Sequence, residues 1–178
     1  MYVLCFGDSN TYGYDPRSYF GGRYDPNNRW VDILEQRTGW DIRNEGMNGR
    51  MIPNRGISLP EAIDLLIIML GTNDLLQGAD SEETASRMGQ FLKGISVRKD
   101  KILLVAPPAM KVGAWVTEEV LLRESRRLVQ LYEDLAMRLD IRFVDANHWN
   151  VAITFDGVHF SEEGHRNFAE GIYSYLVE

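Results

Sequence analysis

Tyr2-Val3-Leu4-Cys5-Phe6-Gly7-Asp8-Ser9-Asn10-Thr11 opens the chain with a short apolar run that breaks into a turn. Residues 2–6 are apolar at consecutive positions, as in a strand covered on both faces. Gly7 permits a tight turn, and Ser9 begins the segment after it. Four more runs repeat the pattern at 42–44, 65–70, 102–106 and 142–144, and several end in Gly, Pro, Asp or Asn. Helical patterns lie between them. Asn28 is placed to cap a helix that turns Trp30, Ile33 and Leu34 inward and stops near Gly39. Ser81 is placed to cap the next, with Glu82 and Glu83 favourable at its N-terminus and Ala85, Met88, Leu92 and Ile95 on its apolar face. Thr117 is placed to cap a long helix with a stripe of Leu121, Leu128, Leu131, Tyr132, Leu135 and Leu139. Ser161 is placed to cap the last, with Phe168, Ile172, Tyr175 and Leu176 on one side. The alternation predicts an α/β fold: a three-layer α/β/α sandwich, doubly wound in the flavodoxin-like manner around a five-stranded parallel sheet. Ligands on such sheets sit at the carboxyl ends of the strands.

The bulk properties narrow the field. A chain of 178 residues fits a single domain over 1–178. Its 26 acidic against 19 basic residues give a net charge of −7, which argues against nucleic acid as the partner. Cys5 is the one cysteine, so no internal disulfide is available, and it reads as a small core residue. The longest apolar run, 65–70, is too short to span a bilayer. The first residues lack a basic stretch followed by a long apolar one, so no secretory signal is read, and a cytoplasmic location is the default expectation. Residues 14–27 form a long Gly/Pro/Tyr-rich loop, a candidate site rim. Assembly into a homo-oligomer is left open.

The chemistry concentrates where the predicted strands end. Ser9 is well placed to attack an acyl carbon if a base takes its proton, although serine at such a turn also serves as a helix cap. Three histidines are present: His148, His159 and His165. In Asp156-Gly157-Val158-His159 the carboxylate, three residues before the imidazole, can reach its Nδ1–H, with Phe155 and Phe160 giving apolar surroundings. A local Asx-turn is the plainer reading of Asp156. His165 falls in the first turn of the last helix and is expected to face solvent. His148 follows the fifth strand without a carboxylate at matching spacing. In Gly71-Thr72-Asn73-Asp74 the Asn73 amide can donate to a developing oxyanion, while Asp74 is expected to cap the segment after it. Gly49 can bring its backbone N–H close to a substrate, with the Ser9 N–H as a further donor. Singly these are ordinary turn residues; together they place a nucleophile, oxyanion donors and an acid–base pair on one rim of the sheet.

In this order the residues resemble the SGNH, or GDSL-type, hydrolase family. Its four blocks are matched by Gly7-Asp8-Ser9, the Gly49 loop, Gly71-Thr72-Asn73-Asp74 and Asp156-Gly157-Val158-His159. The resemblance implies Ser9 as nucleophile, His159 as general base and then acid, and Asp156 as the residue that orients it. It implies an oxyanion hole of the Ser9 N–H, the Gly49 N–H and the Asn73 side chain. Within the family the chain is most similar to bacterial arylesterases and acyltransferases. Asn10 stands where the family name expects leucine, a change at the pocket floor, and the connection from Arg50 to Leu59 is shorter than in that branch.

The expected activity is hydrolysis of small carboxylic esters, with short acyl chains, through an acyl-enzyme and without a metal or organic cofactor. Asn10, Tyr14 and Val158 are candidate pocket residues, and Pro107-Pro108-Ala109-Met110 a candidate wall. Three other readings stand beside it. In a metal-dependent phosphoesterase Asp8, Asn73, Asp74 and His159 would be ligands, but three histidines are few for a metal pair. In a flavodoxin-like binder the loop Ser9-Asn10-Thr11-Tyr12-Gly13 would cradle a phosphate, which leaves Asp156 and His159 without a role. The third is a carbohydrate-binding module that keeps the fold without the chemistry.

Overall fold

A computed structural model describes every residue except Tyr19, Glu61 and Glu178. Five strands, β1 (Tyr2–Gly7), β2 (Asp41–Gly46), β3 (Leu65–Met69), β4 (Ile102–Ala106) and β5 (Arg142–Asp145), form one sheet in the order β2-β1-β3-β4-β5. Every neighbouring pair is parallel. The helices are α1 (Ser9–Tyr12), α2 (Trp30–Thr38), α3 (Thr72–Leu76), α4 (Ser81–Gly94), α5 (Glu119–Leu139) and α6 (Glu162–Val177). The strand order is the flavodoxin-like one, with its topological switch between β1 and β3. Register aligns Gly7 of β1 with both Gly46 of β2 and Met69 of β3. The residues after β1 and β3 therefore leave the sheet side by side, in the crevice where such sheets bind ligands.

The period of two along each strand divides the core. Leu4, Phe6, Leu66, Ile68, Ile102 and Leu104 meet Met88, Phe91 and Leu92 of α4 and Leu128, Tyr132 and Leu135 of α5. Val3, Cys5, Leu65, Ile67, Leu103 and Val105 meet Trp30, Val31 and Leu34 of α2 and Phe168, Ala169 and Ile172 of α6. Both faces are covered, which is why the strands read as unbroken apolar runs. Burying each large side chain contributes roughly 1.5–3 kcal/mol. Cys5 lies inside the second cluster, and burial pushes its thiol far above the ordinary range, in line with a core role.

Several expected caps move by one residue. Asn28 closes a 3₁₀ turn over Pro26–Asn28, and Arg29 precedes α2 with no side-chain cap. Asn28 instead accepts from Arg166 at 3.0 Å. Asp80, not Ser81, caps α4 by accepting from the Glu83 N–H, and the Ser81 hydroxyl turns inward to donate to Glu124 at 2.6 Å. Glu118 rather than Thr117 precedes α5, again without a side-chain cap. Ser161 does cap α6: its Oγ accepts from the Gly164 N–H at 3.1 Å. On α6, Tyr173 packs against the core while Tyr175 is exposed. The second strand extends beyond 42–44 to Asp41–Gly46 because β2 pairs with β1 along its whole length.

Candidate active site

Ser9 stands on a helix of only four residues, too short to satisfy its own carbonyls. The rest of the chain supplies the donors. The Ser9 carbonyl accepts from the N–H groups of Gly13 and Tyr14 at 2.9 and 3.0 Å. The Asn10 carbonyl accepts from the Trp30 indole at 3.1 Å, and that of Thr11 from the Asn44 amide at 2.9 Å. The Tyr12 carbonyl accepts from Arg23 at 2.7 Å. At the other end the Asp8 carboxylate accepts from the Asn10 N–H at 3.0 Å. Burial raises the Asp8 pKa to about 6, against the lowering effects of that N–H and of the nearby His159 and Arg50. The short helix that carries Ser9 is thereby held by bonds from four stretches of chain, at 13–14, Arg23, Trp30 and Asn44.

Ser9 Oγ lies 3.0 Å from His159 Nε2, and His159 Nδ1 lies 2.7 Å from Asp156 Oδ2. An ionised carboxylate only accepts, so Nδ1 carries the ring proton and Nε2 is free to accept from the serine hydroxyl. The other Asp156 oxygen, Oδ1, accepts from Thr154 Oγ1 at 3.0 Å, the Val158 N–H at 2.8 Å and the His159 N–H at 2.9 Å. Burial acts to raise this carboxyl's pKa. The His159 ring, the two backbone N–H groups and the imidazole charge outweigh it and hold the value at about 2. Thr154 and His159 close the turn through a 2.8 Å backbone bond, inside an Ile153–Phe160 bridge. The 154–160 turn is thus the Asx-turn the sequence allowed and the seat of the imidazole at once.

The GDSL-like Lipase/Acylhydrolase family matches residues 5–166. The chain belongs to that family. A protein described as an arylesterase from Agrobacterium tumefaciens shares 28% identity and superposes with a TM-score of 0.82, over 98% of this chain and 97% of its own. A carbohydrate acetylesterase family member from Sinorhizobium meliloti shares 26%, with a TM-score of 0.80 over 98% and 96%. An aryl esterase from M. smegmatis shares 25%, with a TM-score of 0.78 over 98% and 97%. No match is found among curated proteins. Fold and family together make this GDSL hydrolase an enzyme acting on carboxylic esters, as the SGNH resemblance implied.

The remaining blocks of the GDSL hydrolase meet at the same rim. Gly49 is exposed, with φ of 72°, in a turn closed by the Arg50 N–H and the Met47 carbonyl at 3.2 Å. Asn73 lies in α3, and its amide donates to the Arg50 carbonyl at 3.1 Å. The neighbouring Asp74 is a correction: it sits within α3 and caps nothing after it. Its buried carboxylate accepts from the Ile52 N–H at 3.0 Å and pairs with Arg87 at 3.1 Å. Asn73 and Asp74 thus tie the Gly49–Ile52 segment to the end of β3. An Asn amide has two N–H bonds, so one remains beyond the Arg50 contact.

Other expectations shift. Of the candidate pocket residues, Tyr14 is half-buried with its ring 4.7 Å from that of His159. Asn10 and Val158 are buried; the Asn10 amide bonds the backbone of Val158 and Phe160, and Val158 packs in the core. Phe160 is buried, whereas Phe155 is exposed and gives the pair no shelter. That role falls to Trp115, which no sequence motif marks: its ring meets His159 edge-on at 5.0 Å. His165 does not face solvent. It is fully buried, edge-on to Tyr24 and Phe160, and accepts from the Trp30 N–H at 3.4 Å. His148 does have a carboxylate three residues before it: Asp145, at 3.5 Å, in an exposed pair. Residues 109 and 110 tie into the frame, Ala109 N–H donating to Asn147 and Met110 N–H to Ser125, but the wall beside the imidazole is built farther on, at Trp115. Among the described residues no three His, Cys, Asp or Glu side chains gather into a metal-binding group. Nor is any helix among them long and apolar enough to cross a membrane.

Proposed function

We propose that the protein is a serine esterase in which Ser9, His159 and Asp156 form the catalytic triad. The observation that carries this reading is the unbroken run of side chains from Ser9 Oγ through His159 to Asp156, at 3.0 and 2.7 Å. Ser9 Oγ attacks the ester carbonyl as His159 Nε2 takes its proton, and the Asp156 carboxylate stabilises the imidazolium. The oxyanion is held by the backbone N–H groups of Ser9 and Gly49 and by the free Asn73 N–H; loss of one such donor typically costs ~10²–10³ in kcat. His159 then protonates the leaving alcohol, and a water repeats the sequence to release the acid. The imidazole, between the rings of Tyr14 and Trp115, is shielded from bulk water, which strengthens its pairing with Asp156.

Short acyl groups are the preferred substrates. A cavity of about 490 Å³ is lined by Leu4, Phe6, Arg50, Pro53, Ile57 and Leu59, and its lining includes neither Ser9 nor His159. The acetylesterase among the structural neighbours supports the same choice. The test is hydrolysis of p-nitrophenyl esters of increasing chain length by wild type and Ser9→Ala in the presence of EDTA. Activity that survives the chelator, falls with chain length and collapses in Ser9→Ala is the expected result. Hydrolysis that persists in Ser9→Ala, or that EDTA abolishes and a divalent metal restores, overturns the serine mechanism.

A further inference from the structure

Asn10 follows the nucleophile directly, is 3% exposed, and spends its whole side chain on the loop that carries His159. Its Nδ2 donates to the Val158 carbonyl at 3.2 Å, and its Oδ1 accepts from the Phe160 N–H at 2.9 Å. These are the residues on either side of His159. The amide orientation is fixed by the pair: reversed, it would set an N–H₂ against an N–H and an oxygen against a carbonyl. The Asn10 backbone is held in turn, since its carbonyl accepts from Trp30 and its N–H donates to Asp8.

We propose that Asn10 is a positioning residue that sets the separation of Ser9 from His159 by clamping the backbone on both flanks of the imidazole. The proposal rests on the serine-esterase reading of the site. Ser9 and His159 are 150 positions apart in sequence. Asp156 orders the histidine turn from within, through its bonds to Val158 and His159. Nothing in those bonds fixes where the turn stands relative to the serine. The Asn10 amide does, because it belongs to the same short helix as the nucleophile and grips the turn at two points. Leucine at this position has the volume but can make neither bond, and would leave the Val158 carbonyl and the Phe160 N–H buried without those partners. The position so named in the family is thus, in this chain, a polar bracket rather than pocket floor.

The test uses Asn10→Leu, which deletes both bonds at similar size, and Asn10→Asp. The latter keeps an acceptor for the Phe160 N–H but sets an oxygen against the Val158 carbonyl. Two quantities are read: kcat and KM for p-nitrophenyl acetate at one fixed pH, and the far-downfield proton NMR resonance of His159 Nδ1–H. Both variants are expected to lose roughly 10- to 100-fold in kcat with KM nearly unchanged, the penalty of a misplaced base. The resonance is expected to broaden through exchange with water. A lower melting temperature with kcat and the resonance intact would make Asn10 a general structural residue and overturn the proposal. A raised KM at unchanged kcat would make it a substrate contact and overturn the proposal equally. If Asn10→Leu does not fold, Asn10→Asp decides by the same two readouts. If wild type hydrolyses no ester, the esterase reading fails. The clamp is then judged by the resonance alone, its loss supporting the proposal and its retention overturning it.

Discussion

Asp156 accepts four hydrogen bonds with one carboxylate, and only one of them comes from the imidazole. Substitution with asparagine keeps the size but removes two things: the charge that stabilises an imidazolium, and the certainty that Nδ1 carries the proton. Asp156→Asn is expected to lower kcat by ~10³–10⁴ while the chain still folds and still binds substrate. Steady-state kinetics with a melting curve on the same sample separates this from unfolding. Because the Asp156 pKa is held near 2, this carboxylate stays ionised across the working range and adds no limb to the pH–rate profile above pH 4.

At the scale of elements, the site is held by contacts between loops that share no sequence pattern. The segment between β4 and α5 lies directly on the Asp156 turn: the Lys111 N–H donates to the Gly157 carbonyl, that of Ala114 to Phe155 and that of Trp115 to Asp156, at 2.9–3.0 Å. Two glycines make this possible. A Cβ on Gly113 would stand 2.3 Å from the Gly157 nitrogen, and one on Gly157, at φ of 86°, 2.2 Å from the Lys111 carbonyl oxygen. Both obstacles are backbone, so neither can swing aside. Gly113→Ala is therefore expected to push the turn away and to lower kcat, whereas alanine at exposed Gly94, where a Cβ meets nothing closer than 3.8 Å, leaves kcat unchanged. That contact explains what was legible and what was not. Ser9 and Asn73 follow β1 and β3 directly, and a parallel sheet turns that sequence position into a shared rim, so they were legible from the strands; Asp156 and His159 lie beyond β5, in the turn before α6, and were legible only from their own spacing of three. Trp115 lies in an irregular connection whose course is set by these long-range backbone bonds and the two glycines that permit them. Asn10 stands in the first motif of the chain, but the direction of its side chain depends on a turn 150 residues away. The caps of α2, α4 and α5 slipped by one; Asn28 and Ser81 met better partners in Arg166 and Glu124, which no local window contains.

For the whole molecule, the balance of buried ionisable groups sets the response to acid. His165 is buried neutral, with a pKa lowered from 6.5 to about 3 chiefly by burial and further by the charges of Arg29 and His159. Its Nδ1 accepts from the Trp30 N–H, which a protonated ring could not do. Its contribution is present above pH 6.5 and lost as pH falls toward 3, on the order of 5 kcal/mol in all. Asp8 works in the opposite sense. Raised from 3.8 to about 6, it favours the folded state below pH 3.8 and loses that benefit as pH rises through 6. The two offset each other between about pH 6 and 4. Below that, Asp8 has nothing left to give, and Asp156 joins His165 in destabilising the fold. Urea midpoints are expected to change little from pH 6.5 to about 4 and then to drop steeply. In His165→Asn, where the side-chain oxygen can still accept from Trp30, the midpoint should rise on acidification over the same interval. A parallel pair of curves would dismiss the His165 contribution. Beyond equilibrium, the 150-residue gap between serine and imidazole gives the protein a timetable. In the proposed mechanism the nucleophile leaves the ribosome 150 residues ahead of its base, which is in place only once the 154–160 turn has docked against Asn10. An unfinished chain is then expected to be silent towards esters, so covalent capture by a fluorophosphonate would report, molecule by molecule, the moment at which Ser9 and the 154–160 turn have met.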